Sequence, residues 1–344
     1  MRLELTFAII LVITGAGTSI IGCKNNVAEP EPNDLPVFNP TRVELEYPSW
    51  FPEMPLATTN PLTVEGIELG RKLYYDPLLH PQGTMSCSSC HQQDQAFTIN
   101  TSGTAVLAHV NLGWSNTFLW EGGVEGTIED IMLFEVEEFF KTDVSRIETK
   151  SEYQSMFYAA FGERDIDEEL CAMALAQFFR TMISSNSRFD QYYPGDIQPN
   201  ADELEGYYIF NSERGDCFHC HAPPLFTDNE FHNIGLDSTF DESNSGRFNV
   251  TGSELDRGAF KTPTLRNIEL TAPYMHDGRF STLEEVIEHY DNGVHSSNTL
   301  DPILTKAGKE EGLNLTDGEK ASLIAFLISL TDPTFTSDSE LSEP

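Results

Sequence analysis

Between Thr63 and Tyr75 the apolar side chains Val64, Ile67, Leu69 and Leu73 recur close to the helical period, and the run stops before Asp76-Pro77. A second apolar face, Leu170, Met173, Ala174, Phe178 and Met182, predicts a helix between Glu168 and Ile183, entered through Asp165 or Asp167. After Gly195, Pro199 and Asn200, which break both periods, a third helix is expected over Glu203 to Asn211. Ser281-Thr282-Leu283-Glu284 offers a capping box ahead of Leu283, Val286, Ile287 and Tyr290. Thr316 and Glu319 do the same ahead of Leu323, Phe326, Leu327 and Leu330. The pattern describes a mainly α protein with long loops.

The start of the chain has another character. Met1-Arg2-Leu3 and the apolar run Phe7 to Ile21 form an export signal, residues 1–22, whose Thr14, Gly15, Gly17, Thr18 and Ser19 argue against a spanning helix. The run ends in Ile20-Ile21-Gly22-Cys23, which resembles a lipobox. Cys23 is then the lipidated first residue of a protein held on the periplasmic side of a bacterial membrane, the outer one. Residues 23–49, rich in Pro and acidic side chains, read as a tether, and Trp50 to Pro55 as its docking point.

A length of 344 residues suits two domains. The charge is strongly acidic, 55 Asp and Glu against 20 Lys and Arg for a formal -35. That field excludes nucleic acid as a partner, keeps the chain off anionic lipid except through its anchor, and speeds encounter with basic proteins.

Of the six cysteines, Cys23 goes to lipid and Cys171 sits alone in an apolar helical stretch, where packing is its default role. The other four form Cys87-Ser88-Ser89-Cys90-His91 and Cys217-Phe218-His219-Cys220-His221. Two thiols at this spacing reach the two vinyl groups of a porphyrin edge, and the following histidine turns under the iron. Zinc coordination or redox-active thiol pairs would use the cysteines, but neither explains both histidines. The expected cofactors are two covalently bound haem c groups. Each motif follows a predicted helix and a short loop, so two cytochrome c-like domains are expected: 50–199 and 200–332, with an acidic tail over 333–344. Met275 offers a soft thioether that suits the sixth position of a higher-potential haem.

Phe260-Lys261-Thr262-Pro263-Thr264-Leu265-Arg266-Asn267, followed by Tyr274-Met275-His276-Asp277-Gly278, resembles the C-terminal half of bacterial dihaem cytochrome c peroxidases, a family that includes the MauG-type enzymes. Leu69-Gly70-Arg71-Lys72-Leu73, Asp76-Pro77, the first haem motif and Trp120-Glu121-Gly122 extend the resemblance to the first half, so that it covers roughly Trp50 to Asp332. It implies that His221 and Met275 hold an electron-receiving haem and that His91 holds the haem where hydrogen peroxide is split. Trp120 would lie between them. The MauG branch has tyrosine at the place of Met275, so the methionine points to the peroxidase branch. The electron donor implied is a small c-type cytochrome or cupredoxin, and the family is compatible with a homodimer.

The resemblance has gaps. The family's catalytic glutamate falls on Phe140 or Lys141, and its glutamine on Asp130 or Ile131. Glu137 and Glu138 are the nearest acids and are the expected substitutes, of which at most one can face the haem, because helical neighbours diverge by about a third of a turn. The loop after His91 lacks the family's Arg-Asn pair, so calcium is not carried over with the rest. His109, the one histidine left between His91 and His219, is the candidate second ligand of the first haem.

Overall fold

Thr63 turns the chain into α1 (Val64–Tyr75): its hydroxyl accepts from Gly66 N at 3.0 Å, and the helix stops at Asp76, where Pro77 cannot continue it. The computed structural model describes residues 38–101, 105–163, 165–306 and 312–344; the export signal, Cys23 and the first part of the tether lie outside them. Further helices are α2 (Ile128–Phe134), α3 (Val144–Glu148), α4 (Ser151–Phe161), α5 (Glu168–Phe179), α6 (Arg188–Tyr192), α7 (Ala201–Phe210), α8 (Phe248–Thr251), α9 (Leu283–Glu288) and α10 (Asp317–Ile328). Strand is confined to two short antiparallel ribbons among the described residues, β1 (Thr117–Phe118) with β2 (Val124–Glu125) and β3 (Phe231–His232) with β4 (Phe260–Lys261). The fold is mainly α, as the periodicity predicts.

Local chemistry sets the helix starts. Asp167, not Asp165, caps α5. Asn200 caps α7 and accepts from Glu203 N at 2.8 Å, so the helix begins earlier than the apolar face alone suggests. The box ahead of α9 sits one residue later than Ser281 and Glu284: Thr282 is the cap, and Glu285 reaches back to Thr282 N at 3.1 Å and to Ser281 N at 2.6 Å. Around Thr316 and Glu319 the capping box forms as expected.

Two hydrophobic cores result. The first gathers Leu69, Leu73, Tyr74, Phe157, Leu175 and Phe178 around the α1–α5 pair; the second gathers Phe189, Phe210, Phe226, Leu323 and Phe326 around α7 and α10. Each pair closes on a glycine. A side chain at Gly70 would meet Ala174 O at 2.0 Å, and one at Gly206 would meet Ser322 O at 1.9 Å, so in both cases helix backbone lies on helix backbone. The order of helix, loop and haem motif that occurs twice in the sequence is therefore a repeated packing unit.

Phe51, Met54 and Trp114 form a smaller third cluster with Trp50, Ile183 and Leu225, which is where the end of the tether docks. The cores do not divide the chain at 199/200. Phe189 and Tyr192 already belong to the second, while Phe335 and Leu341, in the segment expected as an acidic tail, are buried in the first. That segment is clamped by Arg71, which donates to Ser342 O and Ser339 O at 2.6 Å each, and by Tyr75, whose hydroxyl donates to Leu341 O at 2.6 Å. Two buried apolar side chains and these hydrogen bonds hold the acidic end down.

Substituting Gly206→Ala must push α7 off α10, and overpacking of this kind costs about 1–3 kcal/mol. Thermal melting of the variant is expected at a lower temperature than the parent by several degrees; an unchanged transition would contradict the backbone contact.

Candidate functional site

The loop after Cys90 is built to aim one ring nitrogen. Ala96 and Phe97 adopt left-handed backbone (φ +52° and +58°), which folds residues 92–98 back so that Gln92 N donates to Thr98 O at 2.9 Å. Phe97 O is thereby brought 2.9 Å from His91 Nδ1. Burial pushes this imidazole down to about 4, so it is neutral, and with a carbonyl facing Nδ1 the proton resides there. Nε2 is left with a free lone pair, the state a metal ligand requires.

The second motif repeats the device. His221 Nδ1 lies 3.0 Å from Phe226 O, with Phe226 at φ +53°, and burial again holds the ring neutral. Beside it His232 is bracketed by Asp228 (2.9 Å) and Asp301 (2.6 Å); Asp228 foremost, then the Cys220 thiol and Asp301, raise its pKa.

A cavity of about 650 Å³ opens at the first motif. Cys87, Cys90 and His91 line it together with His109, Trp120 and Met275. Cys217, Cys220 and His221 do not line this space. His109 stacks face to face on His91, with ring centroids 3.4 Å apart and planes at 14°, and its Nδ1 lies 3.3 Å from the Tyr74 hydroxyl. It is neutral through burial. No iron fits between rings so close; His109 is a wall residue of the cavity here and would have to swing away to serve as an opposite ligand. Trp120 is fixed at both ends: its indole donates to Ala105 O at 2.8 Å, and its carbonyl accepts from Lys261 N at 2.9 Å. Met275 stands at φ +67°, a strained conformation for a side chain this long, inside a tight loop closed by Tyr274 N to Phe280 O at 2.8 Å.

The acids are distributed differently from expectation. Glu137 and Glu138 are exposed and do not line the cavity. Glu135 does, and burial alone raises its carboxyl to about 7. It stands seven residues after Ile128, on the face that buries Ile131 and Met132, so the period of α2 itself turns it inward. A π-helical turn, Glu135–Phe139, closed by Phe140 N to Glu135 O at 2.8 Å, then rephases the residues that follow, and the helical count could have singled out Glu135. Lys261 was also missed as a site residue: it lines the same cavity.

These residues suit a haem. Two neutral, carbonyl-oriented histidines each follow a thiol pair, and the cavity wall is chiefly apolar. The helical fold and its two attachment turns define a c-type cytochrome with two haem sites.

Comparison with known proteins agrees. Residues 64–198 match the profile of the di-haem cytochrome c peroxidase family. The chain is 32% identical over 298 residues to the methylamine utilization protein MauG of Methylophilus methylotrophus, covering 80% of this chain and 85% of that one. It is 32% identical over 257 residues to cytochrome c551 peroxidase of Nitrosomonas europaea, covering 69% and 76%. The solved structure of a MauG-like protein associated with microbial copper homeostasis superposes with a TM-score of 0.79 at 31% identity, covering 88% of this chain and 99% of that one. The chain belongs to the di-haem cytochrome c peroxidase family, whose members carry two haem c groups. No helix among the described residues is long and apolar enough to cross a membrane.

The segment that carries Thr262 to Thr264 into the cavity wall is held by Arg266, fully buried and paired bidentately with Asp190 at 2.8 and 2.9 Å. Arg266→Met would leave the buried Asp190 carboxylate without a counter-charge, at a cost of about 3–5 kcal/mol. Denaturant titration is expected to show that loss; stability within about 1 kcal/mol of the parent would contradict the pairing as a structural tie.

Proposed function

We propose that this protein reduces hydrogen peroxide to water on the periplasmic side of a bacterial membrane, held there by lipid on Cys23. Two electrons from a reduced small c-type cytochrome or cupredoxin, with two protons, convert one peroxide to two waters. Cys87 and Cys90 attach the reactive haem, with His91 on its iron; Cys217, Cys220 and His221 hold the electron-receiving haem, with Trp120 on the path between, and the family resemblance gives Met275 to that second haem although its side chain lines the His91 cavity in this structure. Haem bound at His91 supplies the electrons to the oxygen–oxygen bond, and the chain must supply the proton relay.

Glu135 carries this reading. It is a half-buried carboxyl in the wall of the His91 cavity, in a chain that lacks the family's glutamate at its usual place. As a carboxylate it accepts the proton from the oxygen nearer His91, and it returns that proton to the departing oxygen, so that hydroxide need not leave as an anion.

MauG-type oxidation of a protein partner is the second reading, favoured by the 32% identity to MauG over 298 residues. Met275, where that branch has tyrosine, argues against it.

Glu135→Gln is expected to slow peroxide consumption by about 10²–10⁴-fold with both haems attached, while a Glu137→Gln/Glu138→Gln variant keeps the parental rate. The reverse pattern would return the role to the exposed pair. The pH profile has a defined sign: the relay starts from the ionised acid, so activity should fall as pH drops through about 7, the position to which burial raises Glu135. A rate flat from pH 5 to pH 8 (roughly the window around that value) would exclude Glu135 as the base.

A further inference from the structure

The cavity at His91 has a buried cation in its wall as well as the acid Glu135. Lys261 is only 7% exposed, and its register in the β3–β4 ribbon, opposite Phe231, sends it inward. Its Nζ lies 3.0 Å from Thr117 Oγ1, 2.9 Å from Asn229 Oδ1 and 3.5 Å from Asn229 O, all neutral oxygens. Among the described residues no carboxylate comes within ion-pair range of it. Asp228 and Glu230 act on it only from a distance, and burial outweighs them, lowering the ammonium to about 8.

The cradle is rigid. Thr117 Oγ1 donates to Asn229 O at 3.0 Å, and Ser115 Oγ donates to Asn229 Oδ1 at 2.9 Å, so the oxygens facing Lys261 are themselves fixed. Through its backbone the same residue holds Trp120 O. An ammonium buried without a counter-ion is costly, and a position like this is retained where an anion completes it. Haem carries two propionate carboxylates.

We propose that Lys261 is a haem-propionate anchor: its ammonium pairs with a propionate of the haem held at His91, and its charge favours the reduced iron of that haem over the oxidised one. The inference rests on the reading that haem occupies the His91 cavity. It assigns the second electrostatic element of that site, a fixed positive charge beside Trp120.

The test is a spectroelectrochemical titration of the protein matured with both haems, comparing the parent with Lys261→Met and Lys261→Arg. Lys261→Met should shift the reduction equilibrium of the His91 haem at least tenfold toward the oxidised form, equivalent to 59 mV for one electron. The shift at the other haem should be smaller, and Lys261→Arg should retain the parental value. Resonance Raman spectra should show the propionate bending modes of the parent altered in the methionine variant. An unchanged equilibrium and unchanged modes in Lys261→Met, with both haems attached, would overturn the proposal. Should the methionine variant not fold, Lys261→Gln takes its place in both measurements under the same criteria. Mass spectrometry of the parent separates the two failures: absence of haem on Cys87 and Cys90 sinks the functional reading itself, whereas haem present without a shift sinks only the role of Lys261.

Discussion

The hydrogen bond from each attachment-turn histidine to a backbone carbonyl is the constraint on which the rest depends. A neutral imidazole has one acceptor nitrogen, and the protein decides which by placing Phe97 O and Phe226 O against Nδ1. Left-handed backbone at Phe97 and Phe226 is needed to turn those carbonyls inward. The first of these loops is buttressed from the far end of the chain: Phe335 packs on the Phe97 ring at 5.3 Å, and Gln93 donates to Asp338 O at 2.8 Å. The first histidine is thus oriented partly by the last dozen residues.

Around that constraint the chain repeats one unit twice, a helix pair closed on a glycine with an attachment turn beside it. The repeats are not equivalent in their electrostatics. The first opens on a cavity with one half-buried acid, Glu135, and one buried lysine, Lys261. Near the second stands His232 between two carboxylates. One scaffold can in this way hold two haems in different electrical surroundings.

Much of this was legible in the sequence because it is local. Helix period, caps and the Cys-x-x-Cys-His turns are decided within a few residues, and the predicted helix starts differ from those observed by no more than two residues, where a neighbouring cap such as Asn200 or Thr282 wins, while α5 ends at Phe179, four residues before the expected Ile183. Glu135 was legible too, at seven residues from Ile128 on the buried face of α2, but closeness in sequence to the family's missing glutamate favoured Glu137 and Glu138. What was not legible depends on distance along the chain. Lys261 becomes a site residue only when β4 is brought beside Thr117, 144 positions away, and the acidic tail becomes a strap only when the first core accepts Phe335 and Leu341.

The account's central claim is that the His91 cavity, with Glu135 in its wall, is a peroxide-reducing site. Rapid mixing of the half-reduced, two-haem protein with hydrogen peroxide, followed by absorbance, tests it most directly. Fast reoxidation with matching consumption of peroxide is the predicted result. Two haems that remain low-spin and unchanged, with the peroxide intact, would contradict it and leave a scaffold for electron transfer alone.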